Sequence, residues 1–263
     1  MLVAISLGAG TQSSALSLMA AHGVVKPMPD VAIFADTMAE PQHVYDWLDW
    51  LEAQLPFPVI RVSKGNLREA VVTGGAGARF APPPFYTTSI NGGGMLRRQC
   101  TREYKVEPIE KKLRELAGYK PRQRISAGTV EQWIGISWDE KERMKMARNK
   151  WCVNRWPLIE MHMTRMQCLE WMRDNGYNEL PKKSACTFCP YHDNSMWRDM
   201  KENDPESWKD ACSVDEAIRG GFEKTSQSLY VHQSMVPLRE ADLSDKNSMQ
   251  YSFLDECDGM CGV

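Results

Sequence analysis

Two cysteines with the spacing of metal ligands stand in the segment Cys186-Thr-Phe-Cys189-Pro190. Two thiolates separated by two residues can bind one metal ion or one face of an iron–sulfur cluster, or they can form a redox pair. A closed metal site needs further ligands, and the candidates are Cys100, Cys257 and Cys261. The remaining cysteines are predicted to be ordinary core residues: Cys152, Cys168 and Cys212.

A turn of small and hydroxyl-bearing residues joins the apolar run at residues 2–5 to a helix-like stretch at residues 15–22. Glycine lets the backbone approach a ligand, successive N–H groups can point at an oxyanion, and a helix N-terminus favours negative charge. The turn therefore predicts a phosphate-binding site. Its candidate residues are Ser6, Gly8, Ala9, Gly10, Thr11, Gln12, Ser13 and Ser14.

The elements around this turn alternate between strand and helix. Short apolar runs at residues 31–35 and 59–62 predict buried parallel strands, and the apolar stripe that follows Pro41 predicts a helix between them. Repeated βαβ units predict an α/β fold with a parallel sheet that binds ligands at the carboxyl ends of its strands. Asp36 and Thr37 fall at such an end, so we expect them near the turn.

The rest of the chain is less regular. The predicted elements are a long Gly/Pro-rich loop at 73–95, a basic helix at 104–117 broken near its start by Pro108, a strand at 124–128, and a helix at about 165–175 that begins with a capping box of Thr164 and Gln167. The charges at residues 139–143 are typical of a solvated helix face. From residue 184 onward we expect loops and short polar helices.

Composition limits the class of protein. The chain has 263 residues, 43% of them hydrophobic, and a formal net charge of −2, which is ordinary for a globular protein. No apolar run is long enough for a signal peptide or a membrane span, so we expect a cytoplasmic protein whose eight cysteines are thiols or ligands. Residues 95–124 hold ten Lys or Arg against four Glu, a net of +6 that permits nucleic-acid binding without requiring it.

Taken in order, these motifs resemble the phosphoadenosine phosphosulfate (PAPS) reductase family, within the adenine nucleotide α-hydrolase and ATP pyrophosphatase superfamily. The turn is similar to the family's SGGxDS phosphate loop, and residues 34–37 resemble the strand end that contacts adenosine. Residues 100–108 resemble the Cys-Cys…Lys-Val-x-Pro segment, and residues 135–143 the G-I-R-x-D-E-S-x-x-R segment. Residues 156–160 are similar to the strand before the helix at 165, so the likeness covers nearly the whole chain.

The resemblance implies a Rossmann-related α/β fold. It implies an adenine nucleotide-binding domain at 1–180 and a cysteine-rich extension at 181–263 that packs on it and ends in a mobile tail. ATP or PAPS is the implied nucleotide, with Mg²⁺ as an accompanying ion. The basic residues expected to face its anionic oxygens are Arg97, Arg98, Lys105 and Arg143, of which Arg143 is also expected to be catalytic. Gln12 stands where the family has Asp, so nucleotide binding is implied more directly than ATP cleavage.

The pattern of cysteines indicates which subfamily the resemblance implies. Adenylylsulfate reductases of this family hold a [4Fe–4S] cluster with a Cys-Cys pair and a later CxxC. Gln99 replaces the first cysteine of the pair here, so Cys100, Cys186 and Cys189 remain as ligands and one iron stays open. Either Cys257 or Cys261 could supply a fourth ligand, or act as a mobile catalytic thiol like the tail cysteine of PAPS reductases. Zinc is the less favoured metal.

Two reactions fit this resemblance. One is reduction of a sulfonucleotide by attack of a tail thiolate, with a thiol reductant as partner. The other is ATP activation of a nucleobase or nucleic acid, followed by insertion of sulfur from a donor protein. An alternative of a different class is a non-catalytic nucleotide-sensing or zinc-stabilised binding module. The sequence leaves the oligomeric state undetermined.

Overall fold

The computed structural model describes residues 1–74, 82–88, 93–222 and 227–244. Its strands are β1 (Leu2–Leu7), β2 (Val31–Asp36), β3 (Val59–Ser63), β4 (Tyr86–Thr87), β5 (Gly94–Met95), β6 (Val130–Ile134), β7 (Cys152–Arg155) and β8 (Leu229–Tyr230). Its α-helices are α1 (Thr11–Ala21), α2 (Gln42–Gln54), α3 (Leu67–Val72), α4 (Glu107–Leu116), α5 (Pro157–Glu160), α6 (Arg165–Asp174), α7 (Asn194–Asn203) and α8 (Pro205–Ala217). A π-helix spans Thr101–Val106, and 3₁₀-helices span Trp138–Arg143 and Leu238–Glu240.

A parallel sheet of five strands lies at the centre, in the order β3-β2-β1-β6-β7. The predicted α/β fold class is confirmed at this level. The strand order reverses beside β1, whose Ser6 pairs with Ile33 of β2 on one side and Ile134 of β6 on the other. Ligands of open α/β sheets bind outside the carboxyl ends of the strands at such a point. The sheet topology therefore puts the turn after β1 in the expected place for a ligand.

Helices cover both faces of this sheet. Ile5 and Leu7 of β1 belong to a core cluster shared with α1, α2 and α6. Ala4, which points to the opposite face, packs in a cluster with Ile109 and Leu113 of α4. Because both faces are buried, the central strands are almost continuously apolar, which is the property that made them predictable.

A second core lies in the C-terminal part of the chain. It contains Phe188, Trp197 of α7 and Leu229 of β8, and it also takes in Leu67 and Val71 of α3. The antiparallel sheet β5-β4-β8 adjoins it, and β4 pairs with β8 across more than 140 residues of chain. Residues before and after position 180 therefore share one packed cluster.

Three predictions of local structure are wrong. Residues 124–128 contain no strand, since the chain turns at Gly128 with φ of +68° and the strand begins only at Val130. Residues 157–160 form helix α5 rather than a strand, because a proline suits the first turn of a helix. For the same reason Pro108 lies in the first turn of α4 and does not break it.

Other local predictions are confirmed. Helix α6 ends at Asp174, and both hydrogen bonds of its capping box with Thr164 and Gln167 are present. The loop predicted at 73–95 is partly outside the described residues, and its described part contains β4 and β5. Within the described ranges, no helix combines the length and apolar character needed to cross a membrane.

Candidate functional site

The turn after β1 forms the N-terminus of α1. Ala9 adopts a left-handed conformation with φ of +56°, and Gly10 is the extended N-cap residue. No described side chain caps α1, whereas the hydroxyl of Ser13 accepts a hydrogen bond from Gly8 N at 3.2 Å and stiffens the turn. Uncapped N–H groups at a helix N-terminus favour an anion.

Two hydroxyls at the same turn are buried without a partner in the described residues. The Ser6 and Thr11 side-chain oxygens make no hydrogen bond, and the two residues are 3% and 2% exposed. Buried polar groups are normally hydrogen-bonded. An oxyanion at the turn would satisfy both hydroxyls, so these residues fit the phosphate groups of a nucleotide.

Gly135 directly follows β6 and lies against the first turn of α1. A Cβ atom added at Gly135 would lie 2.8 Å from both Cα and N of Ser13. The backbone after β6 can approach the first turn of α1 this closely only with glycine. The close approach explains why glycine opens the segment at residues 135–143.

That segment does not form the solvated helix face predicted from its charges. Glu140 and Arg143 are 1% and 7% exposed, and they form an ion pair of 2.7 Å within a 3₁₀-helix that is kinked at Glu140. Gln12 donates to Glu140 Oε2 at 3.1 Å and lies 3.4 Å from the Ser137 hydroxyl. The neutral Gln12 therefore couples the turn to a buried carboxylate supplied by another element.

Other residues predicted for the nucleotide site form hydrogen bonds with other residues of the chain. Ser14 accepts a hydrogen bond from the indole of Trp47 at 2.9 Å, which ties α2 to α1. Asp36 accepts from Met38 N at 2.7 Å and from the Tyr45 hydroxyl at 2.8 Å. Both side chains thus shape the edge of the site, and their contacts do not need a ligand.

The three candidate cluster ligands line one cavity. Cys100 lies immediately before the π-helix, and Cys186 and Cys189 lie in a turn closed by a hydrogen bond from Cys189 N to Cys186 O at 2.9 Å. The cavity has a volume of about 20 Å³, and its polar lining includes Thr37, Arg98 and Lys105. Folding therefore brings together cysteines that are 86 residues apart in the chain (186 − 100), as the resemblance implies.

Charges around this cavity are arranged in a buried network. Lys105 Nζ lies 3.1 Å from Glu40 Oε1, and the Ser184 hydroxyl donates to the other oxygen of Glu40 at 3.2 Å. Burial raises the pKa of the Cys186 thiol well above its ordinary value, and Glu40 raises it further, whereas Lys105 and the Thr37 hydroxyl lower it. An uncoordinated Cys186 is therefore a neutral thiol at pH 7.

The thiols of this cavity suit the two metal groups that the sequence suggests to different degrees. Among the described residues, no three His, Cys, Asp or Glu side chains form a group that could hold a metal ion. Three thiols on one cavity, beside two cationic side chains, match an iron–sulfur cluster in donor type, one ligand short of the usual four. A single tetrahedral zinc ion would need a tighter set and a fourth ligand. The cavity fits a cluster in its donor chemistry and forms no preformed cage for one ion.

One predicted catalytic residue lies away from the cysteine-lined cavity, and the other two are not among the described residues. Arg143 lines a different cavity, on the α4 face of the sheet, and pairs with Glu140, which accepts a hydrogen bond from Gln12 of the turn. Cys257 and Cys261 lie outside the described residues. Of the basic candidates, Arg98 stacks over the Tyr191 ring at 5.0 Å beside the cysteines, while Arg97 is exposed.

Sequence reasoning missed several polar residues of the sheet. Gln132 in β6, Asn154 in β7 and Trp156 after β7 line the cavity that contains Arg143. Each has a buried polar atom without a hydrogen-bond partner in the described part of the chain. The sequence signal that could have identified the two amides is an uncharged polar side chain in the middle of a strand that is otherwise apolar.

No protein-family model, curated protein or solved structure matches this chain. Fold and site alone define its class: an α/β protein with a five-stranded parallel sheet, a helix N-terminus without a side-chain cap where the strand order reverses, and a cavity lined by three cysteines.

Proposed function

We propose that this chain is an adenine nucleotide-dependent sulfur-chemistry enzyme of the PAPS reductase-like type, with the adenine nucleotide α-hydrolase-like version of the α/β fold. The observation that carries the proposal is that one residue borders both the expected nucleotide site and the cysteine-lined cavity. Thr37, at the carboxyl end of β2, lines the cavity that contains Cys100, Cys186 and Cys189. A nucleotide bound along that strand edge would lie beside the thiols.

The proposed nucleotide site rests on polar groups that have no hydrogen-bond partner among the described residues. The uncapped N–H groups of α1 and the hydroxyls of Ser6 and Thr11 would bind phosphate oxygens. The strand end at Asp36 and Thr37 would orient the adenosine. Gln12 carries no charge, so any role of a carboxylate in organising Mg²⁺ would fall to Glu140, which accepts a hydrogen bond from Gln12.

The sulfur half rests on the cysteine-lined cavity. Cys100, Cys186 and Cys189 would hold a [4Fe–4S] cluster, and Arg98 and Lys105 would balance its negative charge. When bound, such a cluster supplies an iron that has no protein ligand. The residues of this chain would exclude water and position the nucleotide next to it.

Metal analysis after anaerobic purification tests this proposal. We expect about four irons and a matching amount of acid-labile sulfide per chain. Substitution of Cys100, Cys186 or Cys189 by Ala should abolish both, whereas Cys212→Ala, a buried cysteine of the second core, should leave them unchanged. Stoichiometric zinc without sulfide would overturn the cluster and favour the zinc-stabilised binding module.

A second experiment separates the two reactions. A sulfonucleotide reductase should release sulfite from PAPS in the presence of a thiol reductant, and Cys261→Ala should abolish the release. An enzyme that inserts sulfur should consume ATP only when a nucleoside or nucleic acid is present. Nucleotide binding without either reaction would leave a nucleotide sensor and overturn the enzymatic proposal.

A further inference from the structure

The two middle residues of the CxxC segment (residues 186–189) are held by the protein around them. Phe188 is fully buried in the second core, and Thr187 is 6% exposed. The N–H of Thr187 donates to the carbonyl oxygen of Ala39 at 2.9 Å, and its hydroxyl donates to Asp210 Oδ2 at 2.7 Å. Residues that are not themselves candidate ligands therefore anchor the turn between two candidate ligands.

Asp210, which lies on α8, is itself fixed in place. Its other carboxylate oxygen accepts a hydrogen bond from Arg68 of α3. Arg68 also donates to the Ser213 hydroxyl at 2.9 Å, and that hydroxyl donates to the carbonyl oxygen of Asp210 at 2.8 Å. A side chain locked by hydrogen bonds of its own can hold a neighbouring group precisely. Asp210 thus presents a charged acceptor to Thr187 in one fixed position.

Helix α3 connects this anchor to the carboxyl end of β2. Its first residue, Leu67, donates its backbone N–H to the carbonyl oxygen of Thr37 at 2.9 Å. The CxxC segment therefore meets the end of β2 in two ways. One is direct, through Ala39, and the other passes through α8 and α3.

We propose that Asp210 is a positioning residue for the thiols of Cys186 and Cys189. By holding the Thr187 hydroxyl, it fixes the turn between the two cysteines and with it the separation of their sulfur atoms at the cavity. Substitution of a residue that orients a metal ligand without touching the metal typically lowers metal affinity by about 10- to 100-fold. The effect on a cluster rests on the proposed function, whereas the effect on the spacing of the thiols requires no metal.

The reduced, metal-free chain tests the spacing of the thiols, with phenylarsine oxide as the probe. This reagent forms two As–S bonds with a pair of neighbouring thiols and releases one water, with no change of oxidation state. Its affinity therefore depends on whether both sulfur atoms can reach one arsenic atom. Thr187→Val keeps the volume and removes the hydroxyl, so we expect it to weaken binding at least about fivefold. Thr187→Ser keeps the hydroxyl and should bind as the unsubstituted chain does.

The carboxylate has its own pair of variants. Asp210→Ala should weaken binding of phenylarsine oxide as Thr187→Val does, because either substitution removes the same hydrogen bond. Asp199→Ala is the matched control, since Asp199 is an exposed carboxylate of α7 that accepts from Lys182 and Asn203. This control should bind the reagent normally.

Reconstitution with ferrous iron and sulfide measures the effect on a cluster. Competition with a chelator, followed by visible absorption, should show about tenfold weaker iron binding in Thr187→Val and Asp210→Ala. Thr187→Ser and Asp199→Ala should retain the cluster of the unsubstituted chain. A role for Asp210 in stability alone predicts a lower urea midpoint for Asp210→Ala and unchanged binding of both probes.

The Thr187 variants keep the test decisive if Asp210→Ala does not fold, because they leave the contact between Asp210 and Arg68 intact. Normal binding of phenylarsine oxide by Thr187→Val would overturn the positioning role. An equal defect in Thr187→Ser would also overturn it, since the hydroxyl would then not be the group that matters. Altered binding of the reagent in a chain that takes up no iron and sulfide would support the positioning role and overturn the proposed cluster.

Discussion

The hydroxyl of Thr37 lies 3.4 Å from the sulfur of Cys186, although 149 positions separate the two residues in the chain. Thr37 directly follows β2, which pairs with β1 just before the turn, and Cys186 begins the CxxC segment. A hydroxyl in this position stabilises a thiolate, because a hydrogen bond to the charged form lowers its pKa. Thr37 therefore brings the carboxyl end of β2 into direct contact with the CxxC segment.

Thr37→Val should weaken metal binding in the cysteine-lined cavity. The substitution keeps the volume and removes the hydroxyl, and the loss of one hydrogen bond is worth about 1 kcal/mol, or about fivefold in affinity. Competition with a chelator measures the change. Thr73→Val, which removes a hydroxyl hydrogen bond at the end of α3, is the control and should leave metal affinity unaltered. Equal affinities for the two variants would contradict a role for Thr37.

Gly135→Ala should disrupt the turn after β1 and with it the proposed nucleotide site. The new Cβ would meet backbone atoms of Ser13 at 2.8 Å, and overpacking of this kind costs about 1–3 kcal/mol. We expect nucleotide affinity, measured by titration calorimetry, to fall at least about tenfold. Gly220→Ala places a methyl group where nothing lies within 4 Å, so it should bind nucleotide normally. Normal binding by Gly135→Ala would show that the turn does not hold the nucleotide.

Lys105→Ala should be strongly destabilising. The side chains of Lys105 and Glu40 are 6% and 0% exposed, so the substitution leaves a buried carboxylate without its cation, at a cost of about 3–5 kcal/mol. Lys112→Ala breaks an exposed pair with Glu115 and should cost less than about 1 kcal/mol. Urea denaturation compares the two. If both variants lose the same stability, the network around Glu40 is not the buried ion pair described above.

His232 should make stability depend on pH in the mildly acidic range. Burial lowers its pKa, against the opposing effect of Asp215 and Asp242, and Nδ1 accepts a hydrogen bond from Ser234 N at 3.2 Å. The unfolded chain binds this proton more readily than the folded one, so the free energy of unfolding should fall as pH drops below about 6.5, by up to about 1.4 kcal/mol per pH unit. Denaturation at several pH values measures the slope.

The corresponding variant is His232→Gln, which should flatten that slope. His162→Gln, at an exposed position, serves as its control. An unchanged slope in His232→Gln would assign the acid sensitivity to other groups.

Local patterns in the sequence were enough for the central strands, the turn and helix α6. Strands buried on both faces are apolar throughout, and a capping box depends only on residues three positions apart, so both signals are contained in short segments. Local reasoning failed at residues 124–128, where the segment suited a strand but the turn at Gly128 decided the backbone. The family resemblance failed at residues 157–160, where it implied a strand but the position of Pro157 favours the first turn of a helix.

What only the tertiary structure decided is the set of partners of each polar side chain. The charges at 139–143 look solvated in sequence, yet Glu140 and Arg143 are buried because the segment packs against Gln12. Gln132 and Asn154 carry no sequence motif, and their juxtaposition follows from the register of β6 with β7. The sequence by itself determined which residue types could bind phosphate or metal. Which of them meet depends on contacts between distant segments, which no local pattern encodes.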